Sequence, residues 1–164
     1  MIIRGIEFKD AEAFWNMQSE LDKETKFMMY EPGERKKDLT RVKSLIQDVK
    51  EHSHLLLVAE NESKIVGFIM AQRGISIRNR HRAYIVIGIR EAFHGQGIGK
   101  RFFKELDIWA NKNSLRRLYL TVMTHNTRAK QLYEQNGFTI EGIKKDSMYI
   151  DGKYVDEYYM AKIL

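Results

Sequence analysis

The 164-residue sequence contains no cysteine. That excludes a disulfide framework, a thiolate metal site and an acyl-cysteine intermediate, and no metal is expected. Proline occurs once, at Pro32. Gly/Ser-rich linkers, internal repeats and low-complexity segments are absent, so a single domain over residues 1–164 is expected. Long apolar runs are missing too. Leu55–Ala59 is representative, the length of a strand and far below what a bilayer requires. Met1 leads directly into Ile2-Ile3-Arg4, without the charged start, apolar stretch and small-residue cleavage site of a signal peptide. A cytoplasmic protein with no membrane partner is the expectation.

What the chain does contain is enough apolar material, 43% of residues, to fill a core at this length. The net charge is +6, from 28 basic and 22 acidic residues. The excess is spread along the chain, densest at Arg78-Asn79-Arg80-His81-Arg82. No aromatic residues interleave there, so the run reads as a solvated turn between strands rather than a nucleic-acid surface.

Periodicity supplies the order of elements. Ile2–Phe8 alternates like a strand, and Asp10 is a plausible N-cap for a helix carrying Phe14, Met17 and Leu21 on one face. A loop follows around Pro32-Gly33. A second helix has Leu39, Val42, Leu45, Ile46 and Val49 in register. Leu55–Ala59 and Ile65–Ala71, separated by Glu60–Lys64, form a hairpin pattern, and Tyr84–Ile89 is a further β-branched run. Ile98, Phe102, Leu106, Trp109 and Ala110 mark an amphipathic helix. Leu118–Val122 reads as a strand and Asn126–Asn136 as a helix with Ala129, Leu132 and Tyr133 inward. Gly137 sits where a C-terminal cap belongs. Strands at Phe138–Ile143 and Tyr154–Ile163 turn at Asp151-Gly152. The expectation is an α/β domain with a mixed sheet, in the order β-α-α-β-β-β-α-β-α-β-β.

The densest chemical signal is Ile87-Gly88-Ile89-Arg90-Glu91-Ala92-Phe93-His94-Gly95-Gln96-Gly97-Ile98-Gly99-Lys100. A strand runs into a loop with glycines at alternate positions, and the loop opens a helix. Helix N-termini leave amides unpartnered and carry partial positive charge. Glycine lets the backbone approach an anion closely, so the arrangement suits a diphosphate. The spacing G-x-G-x-G is not the G-x-G-x-x-G of a dinucleotide fold. Nor is it the G-x-x-x-x-G-K-S/T of nucleotide triphosphatases, since Arg101 stands where a hydroxyl is needed. Taken alone, the loop also fits a simple tight turn.

Two blocks together resemble the GNAT superfamily of N-acetyltransferases. His94-Gly95-Gln96-Gly97-Ile98-Gly99 is similar to that family's pyrophosphate signature, Arg/Gln-x-x-Gly-x-Gly/Ala, with His94 replacing the usual first residue. Leu118-Tyr119-Leu120-Thr121-Val122, then Asn126, Ala129, Leu132-Tyr133-Glu134 and Gly137-Phe138, is similar to its next motif. The order of elements agrees over nearly the whole chain. The resemblance implies acetyl-CoA as co-substrate and a primary amine as acceptor, either a small amine or amino acid or a protein N-terminus. It implies that Ile87, Gly88 and Ile89 pair with the pantetheine amides by strand addition. His94, Gly95, Gln96, Gly97, Ile98, Gly99 and Lys100 would hold the pyrophosphate, and Asn126 would hydrogen-bond the pantetheine arm. Arg101, Arg128 and Lys130 become candidates for the outer phosphate of CoA.

Direct transfer in a ternary complex fits a chain without cysteine. The resemblance places Tyr133 beside the thioester sulfur as general acid, although periodicity alone reads it as a core aromatic. Thr121 occupies the place where some relatives carry a glutamate base, and it cannot serve. Glu31 and Glu34 in the Pro-Gly loop, His125 and a water chain are the remaining candidates for proton removal, the two glutamates also for substrate contact. The tail from Met148 to Met160 resembles the branch containing ribosomal-protein-alanine and amino-acid or phosphinothricin-type acetyltransferases. Its tyrosines, Tyr149, Tyr154, Tyr158 and Tyr159, suit packing first, and an acceptor pocket or a homodimer contact otherwise. An inert acyl-CoA sensor and a nucleic-acid-binding module are the alternatives, the second having only the basic turn in its favour.

Overall fold

The computed structural model describes residues 1–164. Its elements are β1 (Ile2–Gly5), α1 (Ala11–Glu24), α2 (Leu39–Glu51), β2 (Leu55–Asn61), β3 (Lys64–Arg73), β4 (Arg82–Ile89), α3 (Ile98–Lys112), β5 (Arg117–Met123), α4 (Thr127–Gln135), β6 (Thr139–Ile150) and β7 (Lys153–Ile163). The strands form one sheet in the order β1-β2-β3-β4-β5-β7-β6. Every neighbouring pair is antiparallel except β4 with β5. The expected order of elements is therefore the observed one, and no helix is long and apolar enough to cross a membrane.

The sheet is covered on both faces because its strands and helices carry two separate apolar sets. Ile98, Phe102, Phe103, Leu106 and Ala110 of α3 pack with Ala83, Ile85, Leu118, Leu120 and Val122 of the sheet. Phe14, Met17 and Leu21 of α1, with Val42 and Ile46 of α2, pack on Leu56, Val58 and Phe68. Full burial of each large side chain contributes about 2 kcal/mol. Phe14 and Phe68 also meet edge to face at 5.4 Å, an arrangement that adds favourable quadrupole contact. The α3 stripe follows from spacing four apart, and Trp109 on its margin is only partly buried.

Two expectations change at the start of the chain. The first strand stops at Gly5 rather than Phe8, because Phe8–Asp10 tightens into a 3-10 turn. The Arg4 guanidinium donates to both Asp10 oxygens, at 2.7 and 2.9 Å, and bends the chain there. Asp10 does not cap α1 through its side chain. Its carboxylate instead accepts the Glu7 N–H at 2.8 Å. Both tight hairpins obey backbone chemistry: Glu62-Ser63 and Asp151-Gly152 all have positive φ, as two-residue turns of the primed type require. The basic segment is a turn, exposed at Arg78, Arg80, His81 and Arg82, as expected.

Candidate active site

The parallel pair β4–β5 holds for only three residue pairs, Arg82 with Arg117, Ala83 with Leu118 and Tyr84 with Tyr119. Beyond them the strands part. β4 stays paired to β3 as far as Ile89, and β5 stays paired to β7 as far as Met123. The β4 edge facing the gap consequently presents backbone groups without a strand partner. The Tyr84 hydroxyl and Thr121 Oγ1, 3.2 Å apart, tie the two strands near the point of divergence. A cavity of about 850 Å³ fills the gap, and Ile87, Gly88 and Ile89 line it.

The glycine loop closes one side of this cavity. Gly95 and Gly97 have φ of 75° and 76°, a conformation that side chains with a Cβ resist. The first backbone bond of α3 is from the Arg101 N–H to the Gly97 carbonyl, at 3.1 Å. The amides of Gly95, Gln96, Gly97, Ile98, Gly99 and Lys100 make no hydrogen bond within the chain. Gly99 lacks a side chain for a further reason: a Cβ there would lie 2.8 Å from Leu132 Cδ2, so glycine also lets α4 pack on α3. Among His94–Lys100, Gln96 alone does not line the cavity. Its side-chain amide turns back to donate to the Ala92 carbonyl at 3.3 Å.

His94 is fixed from both sides. One ring nitrogen, Nε2, lies 2.7 Å from the Ile89 carbonyl and must donate to it. Nδ1 then accepts from Arg128 Nη1 at 3.1 Å. Arg128 Nη2 also comes within 4.0 Å of where a Gly95 side chain would begin. The guanidinium of α4 thus sits beside the loop at which the resemblance expects an Arg or Gln in place of His94. Lys100 and Arg128 line the cavity, whereas Lys130 pairs with Glu134 at 2.7 Å and does not. Arg101 is outside the lining as well, reaching toward the Met1 carbonyl.

Tyr133 and Asn126 arrive on α4. Asn126 caps that helix, its Oδ1 accepting the Ala129 N–H at 3.3 Å, which leaves its amide NH₂ for the cavity it lines. Tyr133 is 7% exposed and packs edge to face on Phe103. It also lines the cavity, and its hydroxyl has no protein partner, yet it is not sealed off from the open space. Burial, reinforced by the neighbouring Tyr84, pushes its phenol well above the ordinary tyrosine value. Such a group keeps its proton at neutral pH.

Glu31 and Glu34 lie elsewhere. Both are exposed and absent from the cavity lining, and the Glu34 carboxylate accepts the Glu31 N–H at 2.9 Å, closing their own turn. His125 is outside the lining also, its ring tilted by 55° against Phe27 with centroids 5.0 Å apart.

The residues that pattern reading passed over are on the segments that cover the gap. Thr25, Phe27, Met28 and Met29, just after α1, line the cavity. This segment is held across the gap by the Phe27–His125 ring contact and by an ion pair between Lys26 and Asp151 in the β6–β7 turn. Its far end is anchored by Arg35, which pairs at 2.7 Å with Asp22, whose side chain is 1% exposed. Glu24 lines the cavity but is occupied. Burial raises its carboxyl, and the hydrogen bonds from Arg90 and the Glu91 N–H outweigh that, holding it below the usual carboxylate range. Glu157 differs. It is 9% exposed, lines the cavity, and forms no ion pair. Its only side-chain partner is Ser147 Oγ. The one hint in the sequence was an acid within a tyrosine-rich strand that must bury half its residues.

Comparison with known proteins agrees with this geometry. A family model described as the Acetyltransferase (GNAT) family matches residues 15–138. An L-amino acid N-acetyltransferase, AaaT, of Escherichia coli is 31% identical over 108 residues, 65% of this chain and 67% of that protein. An uncharacterized N-acetyltransferase of Bacillus subtilis, YycN, is 33% identical over 87 residues, 53% of this chain and 56% of its own length. The match thus spans little more than half of the latter relative. Among solved structures, an acetyltransferase of the GNAT family from Streptococcus pneumoniae superposes with a TM-score of 0.94 at 29% identity, covering 99% of this chain and 98% of that one.

Proposed function

Because the chain belongs to the Acetyltransferase (GNAT) family, whose model spans residues 15–138, we propose that it moves an acetyl group from acetyl-CoA to the primary amine of a small acceptor, by direct attack in a ternary complex. The observation that carries this reading is the row of six unbonded amides from Gly95 to Lys100 at the mouth of α3, opening on a cavity whose other wall is a free strand edge. The amides, with the helix dipole and the cations of Lys100 and Arg128, would grip the pyrophosphate. The free edge of β4 at Ile87–Ile89 would pair with the pantetheine, joined by the Asn126 amide. A structural relative from Salmonella typhimurium, YncA, was solved with its cofactor acetyl-CoA (TM-score 0.88, 17% identity, 100% of this chain and 94% of that one), which supports this use of the fold.

When bound, the thioester supplies the activated acetyl group. Tyr133 then has one task, to give its proton to the departing sulfur as the carbon–nitrogen bond forms and the carbon–sulfur bond breaks. A phenol pushed up by burial suits an acid and not a base.

The covering segment narrows the acceptor. Phe27, Met28 and Met29 close over the gap and are tethered on both sides. A pocket roofed in this way favours a small amine with an apolar body over a protein N-terminus. The test is release of free CoA from acetyl-CoA in the presence of L-methionine, 2-phenylethylamine, spermidine and an alanine-terminated hexapeptide. Turnover with one of the first two, well above that with the peptide, is the expected result. Binding of CoA without turnover on any amine would favour the inert sensor instead.

A further inference from the structure

We propose that Glu157 receives the acceptor's ammonium group and removes its proton, acting as the general base for which Thr121 leaves no residue on β5. This rests on the acetyltransferase reading above. Three observations lead to it. First, of the carboxylates lining the cavity, Glu24 is paired with Arg90 and Glu91 is exposed. Glu157 alone is both buried and without a cation. Second, the sheet aims it. Glu157 is directly opposite Met123 on β5, and Thr121 is opposite Tyr159. Leu118, Leu120 and Val122 point into the α3 core, so alternation puts Thr121, Met123 and Glu157 on the other face of the sheet, the face covered by α1 and the segment after it. Third, β6 is bulged between Lys144 and Met148, and the bulge brings the Ser147 hydroxyl to Glu157 Oε1. Bulges commonly re-aim a side chain in this manner.

One oxygen of Glu157 is thereby held by Ser147. The other has no protein partner, and no side-chain nitrogen or oxygen is both sealed and unbonded. That free oxygen opens on the cavity. Lys144, its register partner on β6, forms no ion pair with it. The chemistry that would satisfy a desolvated carboxylate here is a primary ammonium. Met123, the register partner of Glu157 on β5, lines the same cavity with Met148, Phe27 and Met28, which fits an apolar body on that amine. The ammonium must lose two protons to become the amide. Glu157 takes the first and passes it to water through the open cavity, and the neutral nitrogen adds to the acetyl carbon. Glu157 takes the second from that nitrogen as the carbon–sulfur bond breaks and Tyr133 delivers one proton to the sulfur, so that one proton is released overall. Exchange with water through the open cavity returns both residues to their starting state.

The test compares wild type, Glu157→Gln, Glu157→Asp and Ser147→Ala, each checked for folding by circular dichroism. With acetyl-CoA and 2-phenylethylamine, Glu157→Gln is expected to lose roughly a hundredfold in kcat, within the range for a missing general base, with the KM for acetyl-CoA unchanged. Calorimetry of 2-phenylethylamine against the protein–CoA complex reads ammonium capture without turnover. Glu157→Gln should weaken that binding about tenfold or more, while Glu157→Asp keeps the charge and most of the binding but loses turnover. Ser147→Ala should fall between wild type and Glu157→Asp in kcat. Equal kcat in Glu157→Gln and wild type, or equal amine affinity, overturns the assignment. So does a wild-type complex that does not bind 2-phenylethylamine at all. Failure to bind CoA would instead remove the acetyltransferase reading itself, and so the two failures are distinguishable.

Discussion

The two sides of the cavity are built by different means. The glycine-loop side is made of backbone: six amides, two left-handed glycines and one helix terminus, contiguous in sequence from Gly95 to Lys100. The covered side is made of side chains drawn from distant segments. Phe27 and Met28 follow α1, Thr121 and Met123 come from β5, Ser147 and Met148 from a bulge in β6, and Glu157 from β7. A contiguous backbone site can grip any carrier with the same diphosphate, whereas a dispersed side-chain site can change its acceptor through single substitutions. On this view the first side states the reaction and the second selects the amine.

Variants can break that contrast from either side. The largest effect is expected from Asp22→Ala, which strands Arg35 and frees the anchor of the covering segment. It should cost about 3 kcal/mol in denaturant unfolding, as loss of one partner of a buried ion pair does, and should raise the KM for amine more than that for acetyl-CoA. Gly97→Val comes next. At φ of 76° a β-branched residue carries about 2 kcal/mol of strain, so acetyl-CoA affinity measured by calorimetry should fall roughly 30-fold, with amine selectivity unaltered. Tyr133→Phe should lower kcat roughly tenfold or more while sparing both KM values. The smallest is Arg128→Ala. Removing one charge-assisted contact to the pyrophosphate is worth about 1 kcal/mol, a rise in the KM for acetyl-CoA of about fivefold. A change in amine selectivity in that variant would show that the two sides are not independent.

The same contrast explains what could be read before the structure. The order of elements and the helical stripes at Phe14–Leu21 and Ile98–Ala110 follow from local periodicity, and both survive in the fold. The glycine loop was legible because its chemistry resides in consecutive residues, although the packing of Leu132 on Gly99 and the turning back of the Gln96 side chain were not. Glu31 and Glu34 were reasonable as loop acids, but they form their own turn. Glu157 was not legible, because its burial depends on the β5–β7 register and on a bulge ten residues away, neither of which leaves a local pattern. The end of β1 was misplaced for a related reason: the ion pair of Arg4 with Asp10 overrides alternation.

Amide-resolved NMR tests directly whether the main chain at the start of α3 holds CoA. Titration with CoA should shift the amides of Gly95, Gln96, Gly97, Ile98, Gly99 and Lys100 and slow their exchange with solvent, while the amides of the turn at Arg78–His81 remain unmoved. Unchanged resonances from Gly95 to Lys100 at saturating CoA, or shifts centred on the basic turn, would contradict the account.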